Sequence, residues 1–116
     1  MKIGVDYYNT ITRLPELFKL INSILAVKEC EIIIVTAVAK KEHDPEGKLY
    51  RARVEKDLQE KNIYYDQIIV VEFTEPKEVP YLKLEVCQKY DIEYFFDDRN
   101  DVCTLLQESG IIAAKV

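Results

Sequence analysis

The chain has 116 residues, 48% hydrophobic and 32% charged, a balance that suits one globular domain with its own core and excludes a disordered or membrane-spanning protein. Its net charge of −5 weighs against a general nucleic-acid binder, which needs clustered Lys and Arg. A phosphorylated small molecule stays open, because a bound cation can reverse the local sign.

The elements alternate from end to end. Residues 2–6 (KIGVD) read as a buried strand that stops at an acid. Residues 14–28 place Leu14, Leu17, Phe18, Ile21, Ile24 and Leu25 on one helical face. Residues 31–36 (EIIIVT) are β-branched and apolar, a central strand expected to end at Thr36. Residues 40–47 (KKEHDPEG) are polar and hold Pro and Gly, hence a loop. Residues 48–61 read as an exposed helix and 67–72 (QIIVVE) as a third strand. After a loop at 74–80, Pro80 stands near the start of a helix that runs to about Tyr90. Residues 92–97 (IEYFFD) form a fourth strand ending at an acid. Residues 101–109 form a short helix with Asn100 or Asp101 as its N-cap. Gly110 ends that helix, and 111–116 (IIAAKV) is a fifth strand.

Five apolar strands separated by helices predict an α/β fold, a doubly wound parallel sheet in three layers. In such sheets the polar residues at the carboxyl ends of strands meet in one crevice. Here these are Asp6, Thr36 and Asp97. If strands one and four are neighbours, two or three carboxylates crowd a small volume and raise one another's pKa. A hard divalent cation relieves that crowding, and Mg²⁺ takes one or two carboxylates plus waters.

In chain order the sequence gives VDYYNT, IIIVT, Lys83 and FFDDRND. This series resembles the four motifs of the haloacid dehalogenase-like hydrolases, and the spacing resembles a small member without a cap domain. The resemblance implies a strand order of 3-2-1-4-5 and a Mg²⁺-dependent hydrolase acting on a phosphomonoester. It assigns Asp6 as the nucleophile, Thr36 as a hydrogen-bond partner of the transferring group and Lys83 as the group that steadies negative charge. Lys77 is the rival lysine. Asp97 would ligate Mg²⁺ together with Asp6 and the backbone carbonyl of Tyr8. Asp101 would hold the metal or its waters, and Asp98 could share that work. The substrate would be a small or macromolecular phosphoester. A second subunit or a protein partner would cover the open crevice, with no role for a membrane.

Tyr8 departs from the phosphatase pattern, which places an acid two residues after the nucleophile. A neutral phenol with a reference pKa near ~10 is a poor general base. Since acid–base help is worth ~10²–10⁴-fold, turnover should be slow. Tyr8 instead favours a catalytically silent module that binds phosphate or metal for a partner protein. D-x-Y-x-T is also the form found in 2-haloacid dehalogenases, although the acidic pair Asp97-Asp98 and the small size speak against them. A flavodoxin-like signalling or binding domain is a further alternative, but its acceptor Asp would follow strand three, which here ends in Glu72-Phe73-Thr74.

The remaining candidates read as structural. Cys30, Cys87 and Cys103 are widely spaced without a CxxC pair and are expected to be reduced thiols. His43 lies in a charged loop, and Arg51, Arg53 and Lys56 form a solvated helix face. No apolar run approaches the ~20 residues of a bilayer helix. The opening segment is too short for the apolar region of a signal peptide, so a cytoplasmic protein is expected.

Overall fold

A computed structural model describes residues 1–116. The strands are β1 (Lys2–Val5), β2 (Glu31–Ala39), β3 (Gln67–Phe73), β4 (Tyr94–Asp97) and β5 (Ile112–Lys115). The helices longer than one turn are α1 (Pro15–Val27), α2 (Lys48–Glu60), α3 (Val79–Lys89) and α4 (Asn100–Glu108). All four strand pairings are parallel, and the order is β3-β2-β1-β4-β5. The three-layer α/β architecture is as the sequence pattern predicts, and the 3-2-1-4-5 order is the one the resemblance implied.

The pleat sorts side chains between two cores. Along β2, Ile32 and Ile34 point into a cluster with Phe18 of α1 and with Val54 and Leu58 of α2. Ile33 and Val35 point the other way, into a cluster with Val79 and Val86 of α3 and with Val102 and Leu106 of α4. Helices α1 and α2 thus cover one face of the sheet, and α3 and α4 the other. Strand β2 is buried on both faces, which is why its sequence is continuously apolar. Gly4 of β1 pairs in register with Phe95 of β4. A Cβ at Gly4 would collide with the Phe95 ring, so the small residue lets a central aromatic lie flat against β1.

Several boundaries differ from the sequence expectation. Strand β2 does not stop at Thr36. It runs on to Ala39, because β3 keeps pairing with it as far as Ala39↔Phe73. Strand β4 begins at Tyr94 rather than Ile92, since the Ile92 amide closes the end of α3 on the Cys87 carbonyl at 2.9 Å. Neither Asn100 nor Asp101 is the N-cap of α4, which begins at Asn100 after Arg99. The loops contain short structured turns at Pro45–Gly47 and Pro76–Glu78. Cys30, Cys87 and Cys103 are all free, and burial pushes the Cys87 thiol up to about 12. No helix is long and apolar enough to cross a membrane.

Candidate functional site

The carboxyl edge of the sheet is where buried charge accumulates. Asp6 directly follows β1 and Asp97 is the last residue of β4. Both point to the α3 face, where Lys83 lies on the buried stripe Val79, Lys83, Val86, Cys87. Lys83 Nζ donates to Asp6 Oδ1 at 2.8 Å and to Asp97 Oδ2 at 2.6 Å. The other oxygens are also engaged. Thr10 Oγ1 donates to Asp6 Oδ2 at 2.9 Å, and the Arg99 amide donates to Asp97 Oδ1 at 3.0 Å. Thr10 can reach back because the chain folds into one tight turn after Asp6, with Asn9 at φ 61°.

Burial raises the Asp6 pKa to about 7; the Lys83 ammonium opposes the rise, and the Asp97 charge adds to it. Burial likewise raises Asp97, against the pull of Lys83. For Lys83 burial disfavours the charge, but the two carboxylates outweigh it and hold its pKa above that of an ordinary lysine. The site is therefore an acidic pair around one ammonium, with more negative charge than Lys83 balances. Asp98 stands beside it. Ligand oxygens of Asp6, Asp97 and Asp98 all lie within 4.8 Å of one another, close enough to share a metal ion. A crevice of about 310 Å³ opens onto this group and is lined by Asp6, Tyr8, Asn9, Lys83, Asp98 and Arg99 among others. A larger hollow of about 510 Å³, at the opposite ends of β4 and β5, gathers no comparable set of side chains. Chemistry rather than size picks out the site.

The sequence-derived set is brought together only in part. Asp6, Lys83, Asp97 and Asp98 meet, and Tyr8 lines the crevice with its side chain 64% exposed. Thr36 does not join them. It sits one residue beyond the level of Asp6 on β2, so the pleat turns it to the α2 face, where its hydroxyl pairs with Tyr50 Oη at 2.8 Å. Asp101 is held by Arg99 instead, at 2.6 Å from Nη2 and 3.0 Å from Nε. That ion pair keeps the Asp101 carboxyl below the ordinary range. Lys77, the rival lysine, is exposed and pairs with Glu75 at 3.1 Å. Thr10 and Arg99 were not singled out from the sequence. The spacing of Thr10, four residues after Asp6, was the available signal.

No protein-family model matches the sequence, and no curated protein is similar to it. Solved structures do match in fold. A chain of the Pnkp1/Rnl/Hen1 RNA repair complex superposes with a TM-score of 0.73 at 16% identity, over 99% of this chain and 42% of that one. The present chain thus spans under half the length of that relative. A protein of the universal stress protein family from Burkholderia pseudomallei gives a TM-score of 0.62 at 13% identity, over 99% of this chain and 94% of the other. A universal stress protein in complex with cAMP gives 0.64 at 10% identity, over 100% and 96%. At these identities the likeness is one of fold, the three-layer Rossmann-like α/β arrangement with an all-parallel sheet.

These findings overturn the resemblance to the haloacid dehalogenase-like hydrolases. The neighbours include universal stress protein chains that match over nearly their whole length. With it fall the Mg²⁺-dependent phosphatase, the silent module of the same family and the 2-haloacid dehalogenase. The physical reason is degeneracy. Any doubly wound parallel sheet ends its apolar strands on polar residues at one edge. Short strings such as VDYYNT and FFDD therefore report the fold before they report a reaction.

Proposed function

We propose that the crevice at the carboxyl edge binds a small phosphorylated ligand, with Mg²⁺ held by Asp6, Asp97 and Asp98 between the protein and the phosphate. One observation carries this reading: Asp6 and Asp97 bracket a single buried ammonium, and Asp98 adds a third carboxylate whose ligand oxygen lies within 4.8 Å of theirs. The donor set fits the ion. All the oxygens are hard, the excess charge is negative, and the raised Asp6 pKa marks a site that would gain from a cation. Tyr8 would add its backbone carbonyl. When bound, Mg²⁺ supplies a positive centre for phosphate oxygens. Lys83 fixes the orientation of both carboxylates, and Thr10 and the Arg99 amide hold their outer oxygens in place.

No glycine-rich phosphate loop follows β1. The chain has three glycines, and none of them, Gly4, Gly47 or Gly110, lies in the turn after β1 where a phosphate cradle would be built. That absence favours binding through a cation at this edge. The fold neighbour in complex with cAMP supports a small phosphorylated ligand as the class to try first.

Calorimetric titration with MgCl₂, followed by cAMP and AMP with and without the ion, tests the reading. Saturable Mg²⁺ binding that is lost in Asp97→Asn, together with nucleotide binding that requires Mg²⁺, is expected. Absence of Mg²⁺ binding at millimolar concentration would overturn it.

A further inference from the structure

A second cleft lies on the opposite face of β2. Ala37 lines the Asp6 crevice, whereas Val38 lines a separate hollow of about 470 Å³ between the 40–47 loop and α2. Adjacent strand residues point to opposite faces, so one sheet edge carries two clefts that share no lining residue. The rim of the second carries three cations, Lys41 from the loop and Arg53 and Lys56 from one face of α2, with His43 beside Lys41.

Nothing in the fold accounts for this charge. Lys41 and Arg53 belong to none of the ion pairs of the molecule. Lys56 reaches Glu60 only at 3.9 Å, with both side chains largely in solvent. The neighbouring cations are matched: Lys48 by Glu46, Arg51 by Glu55, and Lys61, just past the end of α2, by Asp57. The single carboxylate lining the cleft, Asp44, is buried and accepts the amides of Leu49 at 2.7 Å and Tyr50 at 3.0 Å. Its charge is held chiefly by those two amides and more weakly attracts His43 and Arg53, so it offsets only part of the rim's charge. In a chain of net charge −5, cations from two separate segments facing one concavity stand against the background. A single solvated helix face would leave the loop's Lys41 and His43 without explanation.

We propose that this cleft is an anion site for a phosphate-class ligand, a phosphate monoester or polyphosphate. The Arg53 guanidinium serves as the two-pronged donor, with Lys41 and Lys56 as flanking charges. Arginine suits the role because its planar fork matches two phosphate oxygens at once. The site is independent of the Mg²⁺ reading, since it uses none of the same residues and needs no metal.

The test is an NMR titration of the full-length protein with inorganic phosphate and then pyrophosphate, in the presence of EDTA. Saturable shifts at Arg53 Nε and the Lys56 side chain are expected, with pyrophosphate binding the tighter. The Arg53→Gln/Lys56→Gln double variant, altered only at exposed positions, should keep its melting temperature and lose affinity about tenfold or more, the scale of a hydrogen bond to a charged group. Three outcomes would overturn the proposal: no saturable shift, equal shifts at lysines and arginines all over the surface, or unchanged affinity in the double variant. Binding that appears only with Mg²⁺ and moves the Asp6 crevice instead would also overturn it, while supporting the other site.

Discussion

Lys83 Nζ lies 2.6 Å from Asp97 Oδ2, and neither side chain is more than 2% exposed. An ammonium and a carboxylate have been taken out of water together, with Asp6 as a third member at 2.8 Å. Such a cluster contributes little net stability when complete, but it is costly to break, because each remaining charge is stranded in a medium that solvates it poorly.

Replacing Lys83 with Met should therefore lower the unfolding free energy by about 3–5 kcal/mol. Urea denaturation followed by circular dichroism gives the value. A loss below about 1 kcal/mol would mean that protonated Asp6 and Asp97 can share a hydrogen between them, and that the lysine is not what holds them.

The raised pKa of Asp6 has a definite consequence for stability. The folded chain holds this proton more tightly than the unfolded chain, so the group's contribution is largest at low pH. It is lost as pH rises from the ordinary value of 3.8 to about 7. Asp97 acts in the same direction. The depressed acids Asp44, Asp57, Glu78 and Asp101 act in the opposite direction, and they cancel in a comparison with a variant changed only at Asp6. In EDTA, the difference in unfolding free energy between native protein and Asp6→Asn should move in favour of the variant between pH 4 and pH 7. A difference that stays constant across the window would show that Asp6 is ionised throughout.

Two acids in one short segment separate a metal site from a surface ion pair. Asp98 belongs to the carboxylate cluster, whereas Asp101 is tied to Arg99. Asp98→Asn should weaken Mg²⁺ binding by about tenfold or more, the scale seen when the shell around a metal is altered. Asp101→Asn should leave it within about twofold, since that side chain is outside the ligand set. Calorimetry on the two variants side by side decides, and equal losses would contradict the arrangement described above.

Gly4 makes a prediction about the scaffold. Adding a methyl group there drives it into the Phe95 ring, so Gly4→Ala should cost about 1–3 kcal/mol, as overpacked cores do. Combining it with Phe95→Leu should make the two changes less than additive, and thermal unfolding of the set would measure the coupling. Strict additivity would mean that the ring is not the obstacle.

Much of the architecture was legible because single residues obey simple periodicities. EIIIV, β-branched and continuously apolar, reads as a strand buried on both faces. The sequence leaves Lys83 and Lys77 as rivals, and only the packing of α3 shows Lys83 buried with Val79, Val86 and Cys87 while Lys77 is exposed. Other features depended on pairing. Thr36 reads as a strand end because the loop signals begin soon after it. Only the partnership with β3 carries β2 on to Ala39, and only the pleat shows that Thr36 faces Tyr50 rather than Lys83. Arg99 illustrates a different limit. Its capture of Asp101 joins two residues close in sequence, and no periodicity in FFDDRND distinguishes that pairing from a second metal ligand. The family resemblance failed for a related reason, because strand-end acids are common property of parallel α/β sheets.

The Lys83 cluster also bears on the order in which the chain assembles. Its members stand 77 and 14 residues apart along the sequence, so the cluster closes only when β1, α3 and β4 have all docked. Until then three charges remain hydrated and resist being drawn into a collapsing interior. The apolar contacts of β1, β2 and α1 involve no such desolvation and can form first. The ionic centre is in this sense a check on assembly, complete only when these three elements are together.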